Sequence, residues 1–269
     1  MFEPQGEKHA IIEVVFGLRF ARNFTPAEIE ALIAAHGKFK DDLPKINRTQ
    51  IFQFSFGDGE PPANLPFTPP VAGVAFDAMK KDGTLDWRLK ADDNAIFVNC
   101  LSYSRWKEVW AKAQQFLRTA NEIVVNDDNP VTAVLLQYID VFRWTADKEK
   151  YDLRLMLDEE SQHIPKSIYG CGPFWHLHQG WYRDDKLPAP GRMLERVHLD
   201  ALLDDKGVPT VKLDTYLQLE LAKPQSGATV FGTADALGDK VYSDLHEVNK
   251  ALLRSVLTKE LAKRIGLDE

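Results

Sequence analysis

Cysteine is scarce in this chain, with only Cys100 and Cys171 among 269 residues. Two thiols make no disulfide framework. Both lie in or beside strand-like runs, where cysteine usually serves as a small buried hydrophobe. No apolar run reaches 18 residues, so no membrane-spanning helix is expected. The opening MFEPQGEKHA has neither a basic n-region nor an apolar core. No signal peptide is read there, and a reducing, cytoplasmic location is the expectation. HExxH and CxxC spacings, a nucleophile elbow, a Gly-rich phosphate loop and a Walker motif are all missing. Nothing therefore defines a substrate, and no cofactor is expected. A basic arm is missing too. The net charge is −7, with 15 basic against 16 acidic residues in 1–124 and 18 against 24 in 125–269. Phosphate-backbone binding has little electrostatic support, so DNA is not the expected partner.

What is present is an ordinary globular composition, 44% hydrophobic and 27% charged, enough for a sizeable core. AIIEVVFGLRF (10–20) predicts a strand. FTPAEIEALIAAHG predicts a helix with Thr25 as N-cap, Pro26 at N1, Glu28 completing a capping box and Gly37 as the stop. IFQFSF (51–56) predicts a strand with Phe52, Phe54 and Phe56 on one face, and 57–70 is a proline-rich loop. Strands follow at 71–78, 84–90 and 95–101, the last two joined around Ala91–Asn94. That hairpin pairs Trp87 with Val98 and Leu89 with Ile96. Apolar residues at i, i+3, i+4 and i+7 from Trp106 to Ala120 predict a long helix over 103–121, in which Trp106 and Trp110 are core residues. NDDN (126–129) lacks EF-hand spacing and is read as a turn between halves.

The second half repeats the element order. It reads as a strand at 131–144, a short helix at DKEKYDLRLMLDEE, strands near 166–171, 173–183, 192–203 and 209–221, a loop from 223 to about 242, and a helix over 244–263. That helix starts at Asp244, with Glu247 closing a second capping box. The fold class is therefore α+β: two β-α-β4-α units, 1–124 and 125–269, forming antiparallel sheets, each packed by a long C-terminal helix. A saddle or helix-grip pseudo-duplication follows, as one pseudo-symmetric body. The order is similar to that of the saddle of the TATA-binding protein, a likeness of topology and not of function.

Three stretches, IIEVVFGLRF, YSRWKEVW and LHEVNKALLRSVLTKELAKRIG, resemble a sporadically distributed bacterial family of about 250-residue proteins of unknown function. The resemblance spans the chain but rests on core and cap residues. It implies no established activity, and no catalytic residue carries over.

The densest polar chemistry is in FWHLHQGWYR (174–183). In a strand, Trp175, Leu177 and Trp181 share one face and Phe174, His176, His178 and Tyr182 the other. RMLERVHLDALL places Arg196, His198 and Asp200 with the histidines, and TVKLDTYLQLEL adds Lys212, Asp214, Tyr216, Gln218 and Glu220. A loop centred at 186–188 and another near Lys206 predict the rows His176–His198–Asp214 and His178–Arg196–Tyr216. Two histidines and a carboxylate could hold a metal through His176, His198 and Asp214, but i, i+2 histidines on a strand are a weak signal. His178, His198, Asp214 and Tyr216 could instead act as acid and base. The plainer reading is the open polar face of an antiparallel sheet. The expected function is a non-catalytic binding or interaction module. It uses His176, His178, Tyr182, Arg196, His198, Asp214 and Tyr216, or the groove between the units, to take a protein or small molecule. The alternative is a metal-dependent or acid/base enzyme on the same face.

Overall fold

The computed structural model describes residues 1–6, 9–50, 71–126, 128–231 and 236–267. The expected strand at 51–56, with Phe52, Phe54 and Phe56, and the loop 57–70 lie outside the described residues, as do Asp127 of the NDDN turn and 232–235 of the expected 223–242 loop. The strands are β1 (Phe2–Pro4), β2 (Ile11–Phe20), β3 (Lys45–Gln50), β4 (Val71–Met79), β5 (Leu85–Asp92), β6 (Ala95–Cys100), β7 (Val131–Trp144), β8 (Trp175–Arg183), β9 (Gly191–Leu203) and β10 (Pro209–Gln225). The helices are α1 (Pro26–Ala34), α2 (Trp106–Val124), α3 (Gly227–Phe231), α4 (Leu237–Val256) and α5 (Lys259–Arg264). None is long and apolar enough to cross a membrane.

The chain is a mixed α+β fold built on one open sheet in the order β3-β4-β5-β6-β2-β7-β10-β9-β8, with β1 pairing to the end of β7. All pairings among the described strands are antiparallel. Two sheets, one per half, were expected. Instead the first long strand of each half, β2 and β7, pair at the centre, with Phe16 opposite Leu136. The cause is legible in β7: Ala133, Val134, Leu135 and Leu136 are consecutive and all buried. A strand buried on both faces belongs in the interior of a sheet rather than at its edge.

The three longer helices lie on one face. Phe16 of β2 meets Trp106 and Trp110 of α2 and Tyr242 of α4, with ring centroids 5.5–5.8 Å apart. Trp87 of β5 packs edge-on against Phe116 of α2. Behind α1, in the turn Ala35–Lys38 and just after it, His36 and Phe39 stack on Phe76 of β4. Thr25 caps α1 with the expected box, and Arg22 clamps the Glu28 carboxylate at 2.9 and 3.0 Å.

Several local expectations need correction. The β5–β6 turn holds two residues, Asp93 and Asn94, with Asp93 at φ 47°. A two-residue turn of this kind suits the strand twist, and it pairs Trp87 with Cys100 and Leu89 with Val98. Residues 166–170 form a 3-10 turn, begun at Pro165, rather than a strand. Ile168 and Tyr169 are both buried, whereas a strand would send neighbours to opposite faces. The short helix expected after β7 is two 3-10 turns, Lys148–Lys150 and Leu153–Leu155. The second half thus adds three strands after β7, not four. Its long helix starts at Leu237, so Asp244 is no N-cap; it lies about two turns inside and pairs with Lys240 at 2.8 Å. Nor does that helix reach 263. Leu257 is extended and Thr258 N-caps α5. Backbone bonds Asp158 N–H to Val256 O and Thr258 N–H to Met156 O, both 2.9 Å, hold the break.

Candidate functional site

With the helices on one face, strand alternation carries the polar residues of β7 to β10 to the other. On β8, His176, His178, Gly180 and Tyr182 are exposed, while Trp175, Leu177 and Trp181 are half-buried against the core. The β9–β10 register sets His198 opposite Asp214, as expected from a loop near Lys206. The β8–β9 register differs from expectation by two residues: His178, not His176, faces His198. The turn centres on Pro188, one position later than expected, and each one-residue displacement of a turn moves the partner by two. The rows are therefore His178–His198–Asp214, His176–Asp200–Lys212 and Gly180–Arg196–Tyr216.

This register decides the local chemistry. The His178 and His198 rings stack with centroids 5.0 Å apart, and His198 Nε2 lies 3.1 Å from Asp200 Oδ1. Asp214 is taken by Gln137 of β7, whose Nε2 donates to both carboxylate oxygens at 2.8 and 2.9 Å. Tyr216 donates its hydroxyl to Gln218 Oε1 at 2.6 Å. Its ring carries the Arg196 guanidinium at 3.8 Å, and Arg192 lies 4.5 Å over Tyr182. Gly180 makes room for Arg196: a Cβ there would come within 2.9 Å of Arg196 Cγ. His176 is thus separated from the His198 and Asp214 it was expected to join. Among the described residues no three of His, Cys, Asp or Glu converge as a metal set. Of the acid/base quartet, His178, His198 and Asp214 share one row and Tyr216 stands in the next, with Asp214 hydrogen-bonded to Gln137 and Tyr216 to Gln218. Cys100 is buried as expected, but Cys171 is not: it follows the 3-10 turn 166–170, is exposed, and directs its thiol to Ser167 O at 3.6 Å.

Replacing both the exposed His176 and the half-buried His198 by glutamine is expected to change stability by less than about 0.5 kcal/mol, as for surface positions. A urea titration checks this. A loss above about 2 kcal/mol would mean that the histidine row braces the sheet.

Two polar groups on the helix side are absent from the sequence reading. Glu195 of β9 sits on the apolar face between Met193 and Val197, only 4% exposed. Its Oε1 lies 3.1 Å from Arg183 Nε, but the two are skewed, and neither atom gains a hydrogen bond. Burial pushes the Glu195 carboxyl up, partly offset by the Arg183 charge. Beside it His163 stacks on Trp181 at 4.4 Å. Together with Val248, Ala251, Leu252 and Ser255 of α4, these residues line a cavity of about 280 Å³. The second group lies under α4. Tyr138 shares a 2.8 Å hydrogen bond with His246 Nδ1, and the His246 ring stacks on Trp106 at 4.1 Å. Nearby Asp140, 1% exposed, has Oδ2 without a partner. Burial lifts its carboxyl from 3.8 to about 7, and burial lowers His246 from 6.5 to about 4. Strand alternation accounts for both positions, since each is flanked at i±2 by buried residues, Tyr138 and Phe142 for Asp140 and Met193 and Val197 for Glu195. The chain matches no protein-family model and no curated protein.

Proposed function

We propose that this chain is a non-catalytic binding module that takes a protein partner on the helix-free face of β8, β9 and β10. The observation that carries the reading is the lateral cation–aromatic pairing there, Arg196 over Tyr216 and Arg192 over Tyr182. Tyr182 is 54% and Phe174 66% exposed, and exposed Tyr and Arg are the residue types that dominate interface energetics. The pairs spread laterally over three strands, β8, β9 and β10. This favours a polypeptide surface over a small molecule. His176, His178, His198 and Asp214 supply hydrogen-bonding capacity around that centre.

The wider fold reading belongs to the same proposal. The halves 1–124 and 125–269 form one pseudo-duplicated, saddle-like body. Support comes from the strand order, in which β2 is flanked by β6, β5 and β4 and β7 by β10, β9 and β8. Membership of the sporadic bacterial family of unknown function is proposed on the stretches quoted above.

The test is site-specific photocrosslinking in the native cell. A crosslinker at position 182 is expected to give one dominant protein adduct, and Arg196→Ala should reduce it at least tenfold. The Arg196→Ala variant itself should fold with stability within about 1 kcal/mol of the parent. Adducts no stronger than those from exposed Lys107 on α2 would sink the reading.

A further inference from the structure

We propose that the cavity between β8, β9 and α4 binds an α-amino acid with an apolar side chain. This site lies on the helix side of the sheet and does not depend on the open-face reading. Its walls are of two kinds. Trp181, Val248, Ala251 and Leu252 are apolar; Arg183, Glu195, His163 and Ser255 are polar. The Ser255 hydroxyl donates to Leu252 O at 2.7 Å, so it can only accept. Burial lowers the proton affinity of the His163 imidazole. The charged lining is thus one cation and one anion held 3.1 Å apart in a skewed contact.

Elimination selects the ligand class. A monoanion would be attracted by Arg183 and repelled by Glu195, and a monocation the reverse. A wholly apolar ligand would leave Arg183 Nε and Glu195 Oε1 buried and without hydrogen-bond partners, which is costly. A zwitterion with adjacent ammonium and carboxylate groups matches both, ammonium on Glu195 and carboxylate on Arg183. The Trp181 ring and the α4 side chains then receive an apolar side chain, and about 280 Å³ accommodates a molecule the size of leucine or phenylalanine. Ala251, exposed on α4, stands at the rim.

The experiment is calorimetric and thermal-shift titration of the full chain with L-leucine and L-phenylalanine. N-acetyl-L-leucine, which lacks the ammonium, and L-leucinamide, which lacks the carboxylate, serve as controls. Saturable binding of at least one amino acid is expected, weakened tenfold or more in both controls. Ala251→Phe should block the rim and abolish binding with little change in Tm, and Glu195→Gln should weaken binding at least tenfold. If the buried Glu195→Gln variant fails to fold, the exposed Ala251→Phe still decides. No saturable binding by either amino acid, equal binding of the controls, or binding unaffected by Ala251→Phe would each overturn the proposal; in those cases the cavity holds water only or admits small solutes without selection.

Discussion

Trp110→Ala is expected to lower the free energy of unfolding by about 3–5 kcal/mol, read as a shift of the urea midpoint at nearly unchanged slope. Trp110 is 8% exposed and stands where α2, α4 and the sheet meet. Its ring lies 4.5 Å from Tyr242, 5.5 Å from Phe16 and 5.9 Å from Trp106. Truncation therefore opens a cavity among three large aromatic groups whose backbones sit on different elements, and such a site collapses poorly. The indole Nε1 also donates to Asp239 in the first turn of α4 at 3.3 Å. Asp239 keeps Gln114 as a second donor, so the loss is mainly one of packing. Trp110→Phe should accordingly cost much less than the alanine variant. A Trp110→Ala loss below about 1 kcal/mol would mean that the α2–α4 seam contributes little to stability.

That seam was legible because helical periodicity is a strong signal. Val109, Trp110, Ala113, Phe116, Leu117 and Ala120 repeat at i, i+3, i+4 and all are buried. The start of α4 was not legible, for a physical reason. Gly238 reads as a loop residue, yet a Cβ there would lie 2.7 Å from Phe231 Cε1. Glycine here permits the close approach of α3 rather than marking a turn. The end of α4 was hidden in the opposite way. The apolar stripe runs on through Leu257 and Leu261, but tertiary backbone bonds from the 156–158 segment break the helix between them.

The site was legible to the level of faces and no further. Alternation put His176, His178 and His198 on one side because the apolar partners must choose the core. Row pairing depends on where one loop turns, and a displacement of a single position at Pro188 gave His198 a different histidine partner. Asp140 and Glu195 were hidden because a lone acid in a strand is ordinarily assigned to solvent. Here each sits at a position whose i±2 neighbours point inward.

Asp140 and His246, both on the helix side, carry the second large effect, an opposed pair of pH dependences. Asp140 is raised from 3.8 to about 7 by burial. The folded chain keeps a proton that the unfolded chain releases, so this stabilising contribution is full below about pH 4 and lost as pH rises to about 7. His246 is lowered from 6.5 to about 4 by burial. The folded chain refuses a proton that the unfolded chain takes, so its contribution is full above about pH 6.5 and lost as pH falls to about 4. At roughly 1.4 kcal/mol per pKa unit, each is worth on the order of 3–4 kcal/mol, with opposite sign over nearly the same window. Between pH 4 and 6.5 the two largely cancel in the parent chain. Glu28, held down to about 2 chiefly by Arg22, acts below that window. Glu195 and His163 are shifted in the same senses as Asp140 and His246 respectively, so the difference between variant and parent isolates each group. Relative to the parent, Asp140→Asn should gain stability by about 4 kcal/mol as pH rises from 4 to 7. His246→Gln should lose about 3 kcal/mol relative to the parent between pH 4 and 6.5. Urea unfolding at half-unit pH steps measures both curves, and variant profiles that run parallel to the parent would show that neither group titrates differently on folding.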